Sequence, residues 1–211
     1  MRLYFRIAVY LFAMLAFSVA KAGSYEDYFR AIEVDNDRGL TRLFAEGFDP
    51  NTLDPRGQPG ILLAMKGQSY KAAQVLFAQP ALKVDEANPV GETALLMAAM
   101  RGSVDWCQRL LDRGAQLNRP GWSALHYAAT STEPKVITML LDRGAAIDAQ
   151  AANGATPLMM AASYGSEDVV ALLLARGANP KLLDKRGVDA VGHARASGRE
   201  PLAKRIEQAL R

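Results

Sequence analysis

The chain has 211 residues, half of them hydrophobic, and a formal net charge of +3 at pH 7. Residues 1–22 contain three of the 25 basic residues and none of the 22 acidic ones, so the remainder is electrically balanced. A balanced chain without a dense run of Lys and Arg argues against a nucleic-acid partner. Cys107 is the single cysteine, so no disulfide can form within the chain and stability must come from packing.

Residues 1–22 have the pattern of a cleavable export signal. Arg2 and Arg6 give a basic start, and Ala20-Lys21-Ala22 offers small residues on both sides of Lys21. The apolar run 7–19 between them is shorter than the ~20 residues that a spanning helix needs, which disfavours the alternative of an uncleaved membrane anchor. We therefore expect cleavage at the end of this segment, a periplasmic or secreted protein, and no stable membrane anchor afterwards.

Turn glycines recur through the rest of the chain at nearly constant spacing. They are separated by 30 to 34 residues and lie at Gly57, Gly91, Gly121, Gly154 and Gly187. A period in the low thirties built from helix pairs is typical of a solenoid. In a solenoid each pair is too small to bury its apolar side alone, so neighbouring pairs stack.

The same residue types return in the same order after each turn glycine. A short polar residue that can cap a helix stands two positions later, at Thr93, Ser123 and Thr156. The second helix of a unit ends in two leucines and Arg-Gly-Ala, where glycine can adopt the left-handed C-cap. The pattern predicts helices near 25–36, 40–46, 60–66, 70–78, 93–100, 104–112, 156–164 and 167–176, and a last helix from about 200 to 210.

The repeated core motif resembles that of the ankyrin-repeat family. The family's T-P-L-H-x-A pattern corresponds to TALLMA at 93–98, SALHYA at 123–128 and TPLMMA at 156–161. The resemblance extends over about residues 25–211. It implies an all-α ankyrin-repeat solenoid of about six stacked helix-turn-helix pairs with projecting hairpin loops, including degenerate pairs at the ends. The expected domain is 23–211, in units of about 24–53, 54–87, 88–117, 118–150, 151–183 and 184–211.

One hairpin is expected to be short. The stretch between Gly114 and the next turn glycine is three residues shorter than the corresponding stretch after Gly144. The sequence therefore predicts a blunt projection between the third and fourth units, with Arg119, Pro120 and Trp122 at its tip.

The register places a partner-binding surface on the concave face of the expected solenoid, beside the turn glycines and at the ends of the first helices. Trp122, Met100 and Tyr164 belong to three consecutive units and could form one apolar patch, with arginines around it. The candidate partner-binding residues are Trp122, Met100, Tyr164, Arg101, Arg119, Arg56, Glu92, Asn153 and Arg186. The alternative for Trp122 is that it folds over the short hairpin and shields the core.

Catalysis, metal binding and cofactor binding are not expected from the sequence. Two histidines and one cysteine do not form a cluster with the spacing of metal ligands, and no familiar catalytic motif is present. Ser123 near His126 has the register of a helix cap, and the resemblance implies a structural bond from His126 to the adjacent loop. Cys107 and Trp106 occupy apolar helix positions, which predicts a small buried thiol and a packing indole.

Two hypotheses for function remain open from the sequence. The resemblance implies a non-catalytic, monomeric adaptor or scaffold that holds another protein of its compartment through the concave face and hairpin tips. The alternative is a dedicated accessory that inhibits or stabilises a periplasmic enzyme. Exported bacterial relatives of the family suggest a catalase-like enzyme of peroxide defence as such a client.

Overall fold

The computed structural model describes residues 23–209, so the predicted export signal at 1–22 lies outside the described residues. Within that range the chain forms helices joined by turns, and the described residues contain no β-strand. An isolated bridge pairs Leu53 with Pro59. Among the same residues, no helix combines the length and the apolar character needed to cross a membrane.

The twelve helices of the described range follow one another as six pairs, which confirms the predicted number. They are α1 (23–33), α2 (Asp37–Ala45), α3 (Gly60–Gly67), α4 (Tyr70–Phe77), α5 (Ala94–Met100), α6 (Val104–Asp112), α7 (Ala124–Ala129), α8 (Pro134–Asp142), α9 (Pro157–Tyr164), α10 (Glu167–Ala175), α11 (Ala190–Ala196) and α12 (Glu200–Gln208). Most boundaries agree with the predicted ones to within a residue or two. The first helix ends earlier than predicted, because Asp35 has a positive φ of 52° and Asn36 caps α2 by accepting from the Gly39 N–H.

The described residues divide into two compact units, 23–83 with the first two helix pairs and 84–209 with the other four. In the first unit, α4 packs against both α2 and α3. In the second unit the first helices form one row, α5 on α7, α7 on α9 and α9 on α11, and α8 contacts α6 and α10. A single domain over 23–211 stays a prediction.

The core of the second unit repeats one environment. Leu110, Leu140 and Leu173 hold the same register position at the ends of successive second helices, and all three have 0 % exposure. Burying each such side chain contributes roughly 1.5–3 kcal/mol. Trp106 and Cys107 are also buried, which confirms both predicted packing roles. Burial raises the pKa of the Cys107 thiol to about 12.

Polar side chains begin the helices at the predicted positions. The hydroxyl of Thr156 accepts from the Met159 N–H at 3.3 Å, and Thr93 caps α5 in the same way. In the last unit Asp189 accepts from the Gly192 N–H at 2.7 Å. Each bond satisfies one of the backbone donors that a helix N-terminus leaves without an intrahelical partner.

The loops that connect successive helix pairs are joined by a repeated side-chain contact. A side-chain oxygen of one loop accepts a hydrogen bond from a backbone N–H of the next loop, about one repeat later. The bonds are Asn51 to Lys83 at 2.8 Å, Asp85 to Gln116 at 3.1 Å, Asn118 to Ala146 at 2.9 Å and Asp148 to Asn179 at 2.9 Å. We call these four bonds the loop ladder.

The first compact unit departs from the repeated motif because of a close contact. Tyr28 has 0 % exposure, and its hydroxyl donates to the Pro50 carbonyl at 2.9 Å. A Cβ added at Gly60 would lie 2.8 Å from Tyr28 Cζ and 2.9 Å from Ile32 Cδ1. The first position of α3 therefore has no room for a side chain such as the one that begins the first helix of the later helix pairs.

Candidate functional site

Side chains of three consecutive helix pairs line an open apolar cavity in the second compact unit. The cavity has a volume of about 260 Å³ and is lined by Met100, Trp122, His126, Tyr127, Thr130 and Met160. These residues come from α5, from α7 and its C-cap residue, from α9 and from the hairpin before α7. We call the side of the unit built from its hairpins and first helices the hairpin face, and this cavity the anchor cavity.

His126 forms the floor of the anchor cavity, and both of its ring nitrogens are hydrogen-bonded within the chain. Its Nδ1 accepts from the Ser123 backbone N–H at 3.2 Å and lies 2.8 Å from Ser123 Oγ. Nε2 therefore carries the proton and donates to the Ala155 carbonyl at 3.0 Å. Burial lowers the pKa of His126. The helix-cap role of Ser123 and the bond from His126 to the adjacent loop are both confirmed.

The position of Trp122 agrees in part with both interpretations of the sequence, a residue of the partner-binding patch and a cover over the core. Its ring meets the His126 ring edge-on, with 5.3 Å between centroids and 77° between planes, so it covers the floor of the cavity. It is only half-buried and also lines the cavity wall. The Trp122 indole thus packs against the core and also leaves part of its surface exposed for contact with a partner.

The polar side chains of the wall already have partners within the chain. Thr130 Oγ1 donates to the Tyr127 carbonyl at 2.8 Å. The Tyr127 hydroxyl bonds to Glu92, and burial, followed by the charge and hydrogen bond of Glu92, raises the pKa of Tyr127. Glu92 also accepts from Asn88 Nδ2 at 2.9 Å. Its carboxylate therefore supports the wall of the cavity.

Arg119 has a partner within the chain that the sequence did not predict. The sequence places it at the tip of a blunt hairpin, as part of the charged ring around the patch. In the structure Arg119 Nη1 donates to Asp85 Oδ2 at 2.7 Å and to the Asp85 carbonyl at 3.3 Å, and its side chain is 23 % exposed. The Arg119 guanidinium is therefore bound to the preceding loop.

The remaining candidates of the second compact unit are exposed on separate parts of the hairpin face. Tyr164 is 69 % exposed but is not part of the cavity lining, and Arg101 is exposed directly after Met100. Asn153 shapes its own hairpin, because its Oδ1 accepts from the Ala155 N–H and its carbonyl accepts from the Lys185 N–H. Arg186 donates Nε and Nη2 to Asp184 Oδ2.

Arg56 belongs to the first compact unit. Its backbone N–H donates to Asp54 Oδ1 at 2.9 Å, and its side chain is exposed. It borders a wide groove of about 1040 Å³ whose apolar wall includes Tyr25, Phe29 and Leu63. Charged side chains of both signs make up much of the remaining rim.

Sequence reasoning missed Tyr127 and Met160, which share the wall with the predicted Met100 and Trp122. Both stand four residues after the capping residue of their helix, at Ser123 and Thr156. Apart from Trp122, the predicted patch used only positions at the ends of the first helices. The signal was available, because residues three or four positions earlier lie on the same side of a helix.

A larger, shallower cavity of about 620 Å³ lies between α8 and α10, on the second helices. Two of its charged lining residues, Asp142 and Arg143, take part in ion pairs between neighbouring helix pairs. Asp142 accepts from Arg176 at 2.8 Å, and Arg143 donates to Asp112 at 2.7 Å. Because these charges are committed to stacking, the anchor cavity is the stronger candidate site.

His193 joins the last two helix pairs. Its Nδ1 lies 3.1 Å from Ser163 Oγ, and its Nε2 lies 3.1 Å from Asp184 Oδ2. Asp184 also accepts from the Val188 N–H and from Arg186, and these bonds hold its pKa below the usual carboxyl range. The three residues come from α9, the last hairpin and α11, so the chain of bonds fits a structural tie between units. Among residues 23–209, no three His, Cys, Asp or Glu side chains are grouped to hold a metal ion.

A family model described as ankyrin repeats, three copies, matches residues 29–120, 63–151 and 117–184. The chain belongs to the ankyrin-repeat family. The match covers most of the chain and confirms the predicted all-α ankyrin-repeat architecture, which the six helix pairs display.

Two known proteins are similar to most of this chain. A putative ankyrin repeat-containing protein of Treponema pallidum is 31% identical over 173 residues, covering 81% of this chain and 48% of that protein. Protein glp-1 of Caenorhabditis elegans is 28% identical over 182 residues, covering 79% of this chain and 14% of that protein. The ankyrin-repeat chain thus spans less than half of the length of both relatives.

Among solved structures, a chain in a complex from Bdellovibrio bacteriovorus has the same fold. That complex joins a predatory endopeptidase to an immunity protein. The match has a TM-score of 0.74 at 23% identity and covers 86% of this chain and 96% of that one.

Proposed function

We propose that this ankyrin-repeat chain is a protein-interaction module that binds a partner protein through the hairpin face of its second compact unit. The anchor cavity carries the proposal, because three consecutive units contribute Met100, Trp122, Tyr127 and Met160 to one apolar wall. Aromatic and methionine side chains are enriched at protein interfaces and supply much of their binding energy. The role proposed is that of a non-catalytic adaptor.

Site-specific photo-crosslinking tests this function. Tyr164, exposed on α9, is replaced by p-benzoylphenylalanine, and the matched control carries the same group at Lys135, exposed on α8. Irradiation of living cells followed by mass spectrometry should give a discrete adduct with one protein at position 164 and none at 135. Equal labelling at both positions, or no adduct at either, would contradict binding through the hairpin face.

A dedicated inhibitor of an enzyme is the second candidate. It is favoured by the likeness of the fold to a chain from a complex between an endopeptidase and an immunity protein. An inhibitor of this kind would lower the activity of its enzyme in purified form at a one-to-one ratio. The enzyme to assay first is one encoded beside this chain. A catalase-like client stays a prediction from the family resemblance.

Export is proposed on the basis of the basic start, short apolar run and small-residue end of residues 1–22. Cell fractionation should place the protein in the periplasm or the medium. Its N-terminus, read by mass spectrometry, should be Gly23. Retention of residues 1–22 in a membrane fraction would contradict the proposal. A monomer is expected, and light scattering of the purified protein checks it.

A further inference from the structure

We propose that Met100 and Met160 form a modification site, at which a peroxide reversibly oxidises their thioethers to sulfoxides and thereby releases the partner protein. Both side chains line the anchor cavity, one from α5 and the other from α9. The inference rests on the proposed function and adds a way in which binding through the hairpin face is regulated.

The methionines of the described residues fall into two groups by exposure. Three are only 1 % exposed and belong to the core, at Met65, Met97 and Met159. Three are half-buried and partly accessible to solvent, at Met100, Met139 and Met160. Two of these three accessible methionines line the anchor cavity, and the third lies on α8 in the shallow cavity of the second helices.

Met159 and Met160 are neighbours in the sequence but differ in their surroundings. The Met159 Sδ accepts a hydrogen bond from the Thr156 N–H at 3.3 Å and is buried in the core. The Met160 side chain lines the open cavity. An oxidant reacts with a lone pair of the sulfur, so burial and this hydrogen bond protect Met159, whereas a small oxidant that enters the cavity reaches Met160.

The reaction needs only the peroxide and no catalytic group of the protein. The thioether sulfur attacks one oxygen of hydrogen peroxide, and the O–O bond breaks as the S–O bond forms. The released hydroxide takes the proton of the transferred hydroxyl group and leaves as water. The sulfur is oxidised by two electrons and the peroxide is reduced by two. Methionine sulfoxide reductases reverse the change, with one enzyme for each sulfoxide epimer.

A sulfoxide in the anchor cavity opposes binding because the polar groups of the wall are already engaged. The Tyr127 hydroxyl bonds to Glu92, and the Thr130 hydroxyl donates to a backbone carbonyl. Both ring nitrogens of His126 are bonded within the fold. In the free protein water solvates the new oxygen, but an apolar partner surface removes that water and these groups offer no replacement. Burying a polar oxygen without a hydrogen bond is costly, so the oxidised chain should bind its partner more weakly.

The fold itself should tolerate oxidation at these two positions. On each of the two helices another methionine is packed in the core, Met97 on α5 and Met159 on α9. Met100 and Met160 instead line an open space of about 260 Å³, into which the added oxygens can project. Oxidation therefore acts on the binding surface and not on folding, which is what a reversible switch requires.

The modification site is tested first without a partner. The full chain is treated with hydrogen peroxide, and peptide mapping by mass spectrometry follows sulfoxide formation, with fragment ions separating positions 159 and 160. Met100 and Met160 should be oxidised about tenfold or more faster than the buried Met97 and Met159. The oxidised chain should unfold cooperatively at nearly the temperature of the untreated chain. Both sulfoxide reductases together should restore the thioethers.

The release of the partner is tested with the full chain that carries p-benzoylphenylalanine at position 164. This chain is partly oxidised, freed of peroxide and irradiated in an extract of untreated cells, so that the side chains of the partner stay reduced. Chains recovered in the adduct should contain about tenfold less sulfoxide at Met100 and Met160 than the free chains. Met139 is the internal control, because it is accessible on α8, and its sulfoxide level should be equal in both fractions. Reductase treatment should restore the adduct yield.

Three results would overturn the proposal. They are equal oxidation rates at Met159 and Met160, equal sulfoxide levels at Met100 and Met160 in adduct and free chains, and an adduct yield that reduction does not restore. Equal sulfoxide levels in the two fractions would reject the switch and leave the proposed interaction function standing. The absence of any adduct from the untreated chain would reject the interaction function, and the release of a partner with it.

Discussion

Arg119 and Asp85 form an ion pair of 2.7 Å in which both side chains are less than a quarter exposed. Partial shielding from water makes such a pair stronger than a surface ion pair, and the second bond to the Asp85 carbonyl fixes its geometry. Arg119→Ala should therefore lower the free energy of unfolding by about 1–2 kcal/mol, measured by chemical denaturation.

Partner affinity should change little in this variant, because the guanidinium faces Asp85. Lys135→Ala, at an exposed position of α8, serves as the control with no expected loss of stability. A strong loss of affinity with unchanged stability would restore Arg119 to the binding surface.

Trp122→Ala should weaken partner binding by ~2 kcal/mol or more while cooperative unfolding is retained. The half-buried indole lines the anchor cavity, and removing it opens the wall without emptying the core. Calorimetry of the complex and thermal unfolding of the free protein measure the two effects. Trp106→Ala is the contrast, since this buried side chain should cost about 3–5 kcal/mol of stability. A Trp122→Ala variant that unfolds readily yet binds normally when folded would make Trp122 purely structural.

Two glycines of α3 should respond oppositely to alanine. A Cβ at Gly60 would press on the buried Tyr28 ring at 2.8 Å, so Gly60→Ala should destabilise by about 2 kcal/mol or more. At Gly67 the nearest atom is Ser69 Oγ at 3.3 Å, the end of a side chain that can turn away. Gly67→Ala should be neutral or stabilise by up to about 1 kcal/mol. Equal effects in denaturant titrations would show that the contact with Tyr28 relaxes easily.

Stability should fall in mild acid because of His126. Burial lowers the pKa of this imidazole, so the folded chain holds it neutral, while the unfolded chain takes up a proton below its ordinary pKa of about 6.5. The contribution is present above that pH and is lost as the pH falls below it, with a slope of at most ~1.4 kcal/mol per pH unit. Urea titrations between pH 8 and 5 measure this slope. His126→Asn should be less stable at pH 8 and show a smaller slope, and an unchanged slope would assign the effect elsewhere.

Cys107 should be inert in the folded protein. Burial excludes reagents and raises the pKa of its thiol to about 12, so almost no thiolate is present at neutral pH. Iodoacetamide at pH 8 should modify it only after denaturant is added, as followed by intact mass. Rapid modification of the native chain would indicate local opening of α6.

The helices, their caps and the bond from His126 to the adjacent loop could be predicted because they depend on residue type at a repeated position. Ser123, His126 and Cys107 have the roles that their register predicts. The anchor cavity was predicted only in part. Met100 and Trp122 line it, but Met160 stands where Tyr164 was expected.

The structure differs from the predictions where a side chain has several possible contact partners in the folded chain. Register locates the Cα of Arg119 but does not determine that its flexible side chain turns to Asp85. The contact between Tyr28 and Gly60 joins residues of adjacent helix pairs that share no motif position. Such pairings depend on the packed surface that only the folded chain creates.

The loop ladder also shows where this architecture tolerates change in length. Asn118 bonds to Ala146 across 28 residues and Asp148 to Asn179 across 31, yet both bonds measure 2.9 Å. The three missing residues fall between Asn118 and Ala146, and the bond that joins these two residues is kept. The connection after Asn118 can therefore vary in length while the stacking of the loops is kept. The same stretch offers an engineer an insertion point for grafting new recognition loops beside the anchor cavity.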